Sequence, residues 1–416
     1  MKKLLTILLA MLMVFGLAAC NNGGGNSGNN GGETPAGKTT VTVWHTYTED
    51  QLTYLEQAIA DFNASQDQYE VVAESQPYDG FTDKVYQAVM AGNGPDMIIH
   101  YASEAAKYVA DGKVVDMEQY LDPATVALMG ETTRAEATSF VDGKMHILPI
   151  VSSGPIFFYN KALYEELGLS APNTWEELIA NCRAIKEKYP DVFGFAADSD
   201  TDLASTIIEQ TGNQIIDANG GTFNTPEVAA ALKFYQDAMQ EGLFTNVKVI
   251  DNYFSSDFNA GTLAGYIGSA AGAPYLKIDY GMGIVPQGAG PVEWCPAWNR
   301  GIIIFNYDDE NRAKASAAFT DYFASAEVNA GWCVACNYPA CFQATMDTQT
   351  YKDFVANNES FTYLNAEHAG ALPATTANAY ARTALANLMS QIAGGADINT
   401  ALEEAVKYIA DELAAE

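Results

Sequence analysis

From Thr39 onward the sequence predicts an α/β protein of two domains with a largely parallel sheet. Alternating, β-branched runs are separated by amphipathic stretches of roughly 10–15 residues, the pattern of βα units. The chain has 416 residues, 48% of them hydrophobic and 18% charged, a globular composition. Its folded part exceeds the roughly 250–300 residues that one core commonly serves. No internal repeat is evident.

The residues before Thr39 read differently. Lys2 and Lys3 precede an apolar run, Leu4 to Leu17, and small residues Ala18 and Ala19 lead to Cys20. A run this short with a basic start is an export signal rather than a transmembrane helix. The Gly/Asn/Ser segment after Cys20 lacks side chains with which to build a core. It is expected to be a flexible tether reaching about 25 Å in r.m.s. terms. The spacing of Gly23, Gly25 and Gly28 imitates a nucleotide-binding fingerprint, but no predicted strand precedes it and no helix follows.

The elements then follow in order. TTVTVW (39–44) alternates as a strand, and Leu52, Leu55, Ile59 and Phe62 put Glu49 to Asn63 on a helical period. YEVVAES (69–75) is the second strand and Phe81 to Ala91 the second helix. GNGPDMII (92–99) is a turn into a buried strand, with Asp96 bonding turn amides. GPIFFYN (154–160) is a further strand. In TWEELIANCRAIKEK (174–188), Thr174 caps a helix and Glu177 occupies the third position of a capping box. Ala313 to Ala324 and Thr400 to Leu413 are amphipathic helices.

Charge excludes whole classes of partner. There are 21 Lys and Arg against 52 Asp and Glu, a net charge of −31, and loss of Lys2 and Lys3 with the leader takes it to about −33. Such a chain has too few cations to neutralise a phosphate backbone, so nucleic acid is not expected. Beyond Cys20 there are five cysteines: Cys182, Cys295, Cys333, Cys336 and Cys341. The C-x-x-C at Cys333–Cys336 lacks the second ligand pair that zinc requires. Buried thiols or one disulfide are expected, with no metal and no cofactor.

Several segments together resemble the extracellular solute-binding proteins of carbohydrate-type ABC importers, the group that includes maltose- and glycerol-3-phosphate-binding proteins. They are VTVWHTYTEDQL, the G-N-G-P-D turn at 92–96, GPIFFYNKALYEELGL with the P-x-TW-E-E-L after it, FNAGTLAGYIGSA (258–270), YGMGIVP (280–286) and TALEEAVKYI. They stand in family order over residues 39–416, and L-A-A-C resembles a bacterial lipobox, whose cysteine is acylated.

The resemblance implies a two-lobed periplasmic-binding-protein-like fold with hinge crossings and an interlobe ligand cleft. The expected division is a signal peptide at 1–19, a lipidated tether at 20–38, lobe I at 39–150 and 268–305, and lobe II at 151–267 and 306–416. Crossings are expected near Pro149–Ser153, Tyr266–Ser269 and Ile303–Tyr307. The implied function is a monomeric, lipid-anchored receptor that captures a sugar or oligosaccharide outside the cytoplasm. It would deliver this to a membrane permease and its ATPase, without catalysis. Glycerol-3-phosphate or glycerophosphodiester binding by the same fold is the alternative. An exported carbohydrate hydrolase, with paired carboxylates, is the rival from another class.

The resemblance also nominates contacts. His45 and Glu49 flank the loop after the first strand, although Glu49 equally suits a helix start. Tyr78 lies in QPYDGF. Tyr101 follows the buried strand, with His100 adjacent and Ser103 or Glu104 as polar partners. Ser152 and Ser153 fall at the first crossing, Ser269 and Trp298 near the second and third, and Tyr338 on the C-N-Y-P-A loop, where Asn337 replaces the family's glycine. Phosphate binders of this group use a C-terminal arginine. Here only Arg382 is near, and only with a gap. Ala102 stands where they carry an acid. A neutral sugar is therefore the expected ligand.

Overall fold

Alternation within Thr39–His45 (β1) turns Val41, Val43 and His45 to one buried face. The computed structural model describes residues 37–78, 80–217, 220–250, 253–364, 369–370 and 376–415. Cys20 and the expected signal segment lie outside them. Helix α1 (Glu49–Ser65) covers β1 with Leu55, Ala58, Ile59 and Phe62, then β2 (Tyr69–Ser75) returns parallel to β1, Thr39 opposite Tyr69. Parallel strands need a crossover of a dozen or more residues, which α1 provides. Helix α2 (Phe81–Met90) leads to β3 (Met97–Tyr101), parallel to β1 on its other side. Asp96 locks this turn: Oδ2 accepts from the Thr42 amide at 2.8 Å and Oδ1 from Arg312 Nε at 2.6 Å. Helices α3 (Ala102–Ala110), α4 (Pro123–Val126) and α5 (Glu131–Ala137) precede β4 (Leu148–Val151).

The chain then leaves for a second sheet. It contains β5 (Pro155–Asn160), and, beyond α6 (Lys161–Leu167) and α7 (Trp175–Lys188), β6 (Ala196–Ala197). The Thr174–Glu177 capping box opens α7 as the sequence suggests. Helix α8 (Asp200–Gln210), the ribbon β7 (Ile216–Asp217) and β8 (Gly220–Gly221), α9 (Pro226–Gln240) and α10 (Phe254–Asn259) precede β9 (Gly265–Ser269) and β10 (Tyr280–Gly283). The strand order is β10-β5-β9-β6. Alternation along β5 sends Phe157 to one face, with Trp175 and Phe195, and Ile156 and Phe158 to the other, with Phe254 and Tyr266.

After β11 (Cys295–Pro296) the chain returns. Strand β12 (Arg300–Ile304) inserts antiparallel between β3 and β4, completing the order β2-β1-β3-β12-β4. Helices α11 (Glu310–Ala324), α12 (Ala326–Cys336), α13 (Gln343–Met346) and α14 (Gln349–Ala356) follow. Phe319, Phe323 and Trp332 join the first core with Val41, Ile98 and Ile303. The last elements, β13 (Ala369–Gly370), α15 (Thr376–Ala393) and α16 (Ile398–Ala415), go back to the second side. There Leu385, Leu388, Leu402 and Ile409 pack with Trp175 and Leu232.

The two cores confirm two lobes but move the expected boundaries. Strands β9 and β10 lie in the second sheet, so 268–283 does not belong to lobe I, and α11–α14 pack on the first core, so 310–356 does not belong to lobe II. The passage at Pro149–Ser153 holds. No passage occurs at Tyr266–Ser269, which is all second sheet, or at Ile303–Tyr307, where Phe305 stays in the first core. The chain instead passes between β11 and β12, and again between α14 and α15. The first two passages are hydrogen-bonded main chain to main chain, Ser153 N to Trp298 O at 3.1 Å and Trp298 N to Ser153 O at 2.8 Å. Among the described residues no helix is long and apolar enough to cross a membrane. None of the five cysteines forms a disulfide, and among the described residues no cluster of three or more His, Cys, Asp or Glu is placed to hold a metal.

Candidate functional site

In the first sheet the chain moves from β1 to β2 on one side and from there to β3 on the other. Open α/β sheets bind ligands at the carboxyl ends of strands where the order reverses in this way. A cavity of about 310 Å³ lies there. Thr46 and Tyr47 follow β1, His100 and Tyr101 end β3, Tyr78 and Phe81–Asp83 surround the start of α2, and Arg300 opens β12.

Strand pairing puts Arg300 at this end. Because β12 runs antiparallel, its first residue is registered against the last residue of β3, Arg300 opposite Tyr101. On its other edge β12 meets β4 with a register shift between Arg300 and Gly301. Such bulges re-aim side chains. A Cβ at Gly301 would stand 2.4 Å from Leu148 O, so only glycine permits this approach. Arg300 Nη2 donates to Tyr101 Oη at 2.8 Å, and its Cζ lies 4.9 Å from the Tyr101 ring centre and 5.8 Å from that of Tyr338. Arginine stacks on aromatic faces and keeps its charge throughout the physiological range.

Burial keeps one imidazole and two phenols beside Arg300 uncharged. Burial lowers His100 to about 4, with Glu104 opposing and Arg300 assisting. His100 stacks on Phe81 at 5.9 Å, and its Nδ1 accepts from the Tyr101 amide at 2.9 Å. Burial pushes the Tyr338 phenol up to about 12 against the pull of Arg300, and pushes the Tyr47 phenol above the usual tyrosine range. One wall therefore offers phenols, hydroxyls, a fixed cation and aromatic faces, with Asp83 as its one carboxylate among the described residues.

A family model for the bacterial extracellular solute-binding proteins matches residues 45–330. The chain belongs to that family. A maltodextrin-binding protein of Bacillus subtilis is 26% identical over 328 residues, covering 74% of each chain. A periplasmic sn-glycerol-3-phosphate-binding protein of Yersinia pestis is 25% identical over 332 residues, covering 71% of this chain and 72% of its own. Relatives in Brucella abortus, named as binding proteins, are 25% identical over 268 residues, and the match covers 64% of their length. Among solved structures, the cyclic alpha-maltosyl-1,6-maltose binding protein of Arthrobacter globiformis superposes with a TM-score of 0.78 at 21% identity. That match covers 90% of this chain and 99% of the other. It shows the same fold.

In this solute-binding protein the nominated residues divide. Tyr78 and Tyr101 line the cavity, Tyr78 with 73% of its surface exposed. Tyr338 stands beside Arg300, but on the first core rather than in the second lobe. Asn337 before it adopts φ 54°, the left-handed position that glycine or asparagine takes at a helix end, which accounts for the missing glycine. His45 is buried, its pKa lowered by that burial against Glu56, and its Nδ1 accepts from the Tyr47 amide. Glu49 is exposed at the first turn of α1. Ser103 is half-buried on α3, outside the cavity lining.

The crossing residues have structural bonds. Ser153 and Trp298 pair through their main chains, while Ser153 Oγ is buried without a partner among the described residues. Ser269 Oγ accepts from the Ala271 amide and caps a short helical turn. Arg382 lies on α15, half-exposed and 3.4 Å from Asp202 Oδ1, and it does not line the cavity. The loop after β1 was the right one, but Thr46 and Tyr47 line the cavity rather than His45 and Glu49, and sequence reasoning passed over Thr82, Asp83 and above all Arg300. The available signal was a single basic residue opening the otherwise apolar run GIIIF.

Proposed function

We propose that this protein captures a carbohydrate outside the cytoplasm and hands it to a membrane permease driven by an ATPase. It catalyses no reaction and is held at the membrane by an acyl chain on Cys20. The observation that carries this reading is the cavity at the strand ends of the first lobe, where Arg300 stands two residues from Trp298 of the main-chain-paired crossing. A sugar presents apolar C–H faces and hydroxyl rims. The rings of Tyr78, Tyr101 and Phe81 suit the faces, and Thr46, Thr82, Asp83 and Arg300 suit the rims. The names of the Bacillus and Arthrobacter proteins support a saccharide ligand. Helix α3 of the first lobe lies against α15 of the second, with Cα atoms within 8 Å, so a ligand beside the crossing can favour a closed arrangement by touching both.

The test is thermal unfolding of the soluble domain, residues 38–416, which form one compact unit, against mono-, di- and oligosaccharides, followed by calorimetry on any that stabilise it. A dissociation constant in the micromolar range, about −8 kcal/mol, is expected for at least one. A folded protein indifferent to every saccharide, acidic and phosphorylated sugars included, would refute the reading.

A further inference from the structure

We infer that the captured sugar carries an oxyanion, a carboxylate or a phosphate, and that Arg300 is the residue that receives it. This rests on the carbohydrate reading and narrows it. A guanidinium has five N–H donors. Arg300 uses one, toward Tyr101 Oη, and the others have no acceptor among the described residues. It makes no ion pair within 4.0 Å with a described carboxylate, in a chain whose acids outnumber its bases 52 to 21. Arg312, Arg134 and Arg183 each have a carboxylate partner. Arg300 nevertheless stands half-buried on the cavity wall, held between two phenol rings. A desolvated charge without a counter-ion is costly unless one arrives.

A second feature points the same way. The first turn of α2 faces this cavity, its cap Gly80 offers no side-chain acceptor, and the Thr82 and Asp83 amides have no acceptor among the described residues. The positive end of a helix dipole therefore adds to the guanidinium. Asp83 opposes both and sets which part of the ligand can lie on its side. The planar fork of arginine fits carboxylate and phosphate oxygens in pairs, so an acidic sugar and a phosphorylated sugar or polyol share this chemistry.

The experiment is calorimetry on the soluble domain with neutral hexoses, the matching hexuronates, hexose phosphates and glycerol-3-phosphate, at low and high salt. An anionic member should bind tightest. Arg300→Gln should weaken it about ten- to hundredfold while changing any neutral sugar far less. Arg300→Lys, which keeps the charge and loses the fork, should fall between, and Asp83→Asn should strengthen the anionic ligand. Preference for hexuronates assigns a carboxylate, and preference for phosphate esters a phosphate. Tight binding of a neutral sugar above its anionic partners, or an anionic affinity indifferent to Arg300→Lys and to salt, overturns the inference and leaves the carbohydrate reading standing. Binding of no member overturns the inference, and the carbohydrate reading falls with it only if the di- and oligosaccharides of the thermal screen fail as well.

Discussion

Glu136 offers a test of how the crossing is built. It lies on α5, 9% exposed, and its Oε2 accepts from Asn299 Nδ2 at 2.5 Å, between Trp298 of the crossing and Arg300 of the cavity. Burial raises its pKa from 4.5 to about 7, with the Asn299 bond pulling the other way. An acid whose pKa is higher folded than unfolded binds more protons in the native state between those values. Stability therefore falls as pH rises from about 4.5 to about 7, and the loss is complete above that. At 1.36 kcal/mol per pH unit the full cost is at most about 3 kcal/mol. Replacing Glu136 with glutamine keeps an acceptor for Asn299 and removes the charge. In urea unfolding followed by tryptophan fluorescence, Glu136→Gln should exceed the parent by about 1 kcal/mol at pH 5 and about 3 kcal/mol at pH 8. Subtracting the parent at each pH cancels the other titrating groups, including Glu209, which burial also raises to about 7. An offset equal at both pH values, or a variant weaker at pH 8, would show that the carboxyl is not desolvated at the crossing.

Asp96→Ala should cost about 3 kcal/mol, the low end for breaking a buried pair, since it strands the Thr42 amide and the partly exposed Arg312; chemical denaturation checks it. Arg382→Ala should change stability by less than about 0.5 kcal/mol and leave every ligand affinity as it was. Loss of binding in that variant would return the cavity to the second lobe. Cys20→Ser in the full-length chain should move the protein from the membrane fraction to the medium or periplasm, with loss of acyl mass. An unchanged membrane fraction would refute lipidation.

Local rules made elements of both lobes readable. The alternation of Val41 and Val43, the helical spacing of Leu55, Ile59 and Phe62, and the Thr174–Glu177 box each act within a few residues, and each formed as expected. What stayed hidden depends on partners far along the chain. The pattern of Ala313–Ala324 announces a helix but says nothing of which core it joins, because both cores accept the same apolar stripe. Arg300 reaches the cavity only through an antiparallel register with Tyr101, a pairing of residues 199 apart. Attention to a missing C-terminal arginine fell on Arg382, a surface residue, while the cation that meets the cavity stood at the mouth of a strand. Tyr338 was placed in the wrong lobe for the same reason: the return of the chain to the first core is not written in any local pattern.

The insertion of β12 between β3 and β4 bears on how this molecule comes into being. Until residue 304 has joined, β3 and β4 each present an open edge toward the other, across a gap one strand wide. Long-range strand closure of this kind is slow, and open edges invite pairing with foreign strands. The lobe that is begun first is thus among the last parts to be sealed. A chain cut short between β4 and β12 would retain most residues of its opening lobe and lack the strand that joins β4 to β3. Damage to the later sequence would therefore be felt first at the beginning.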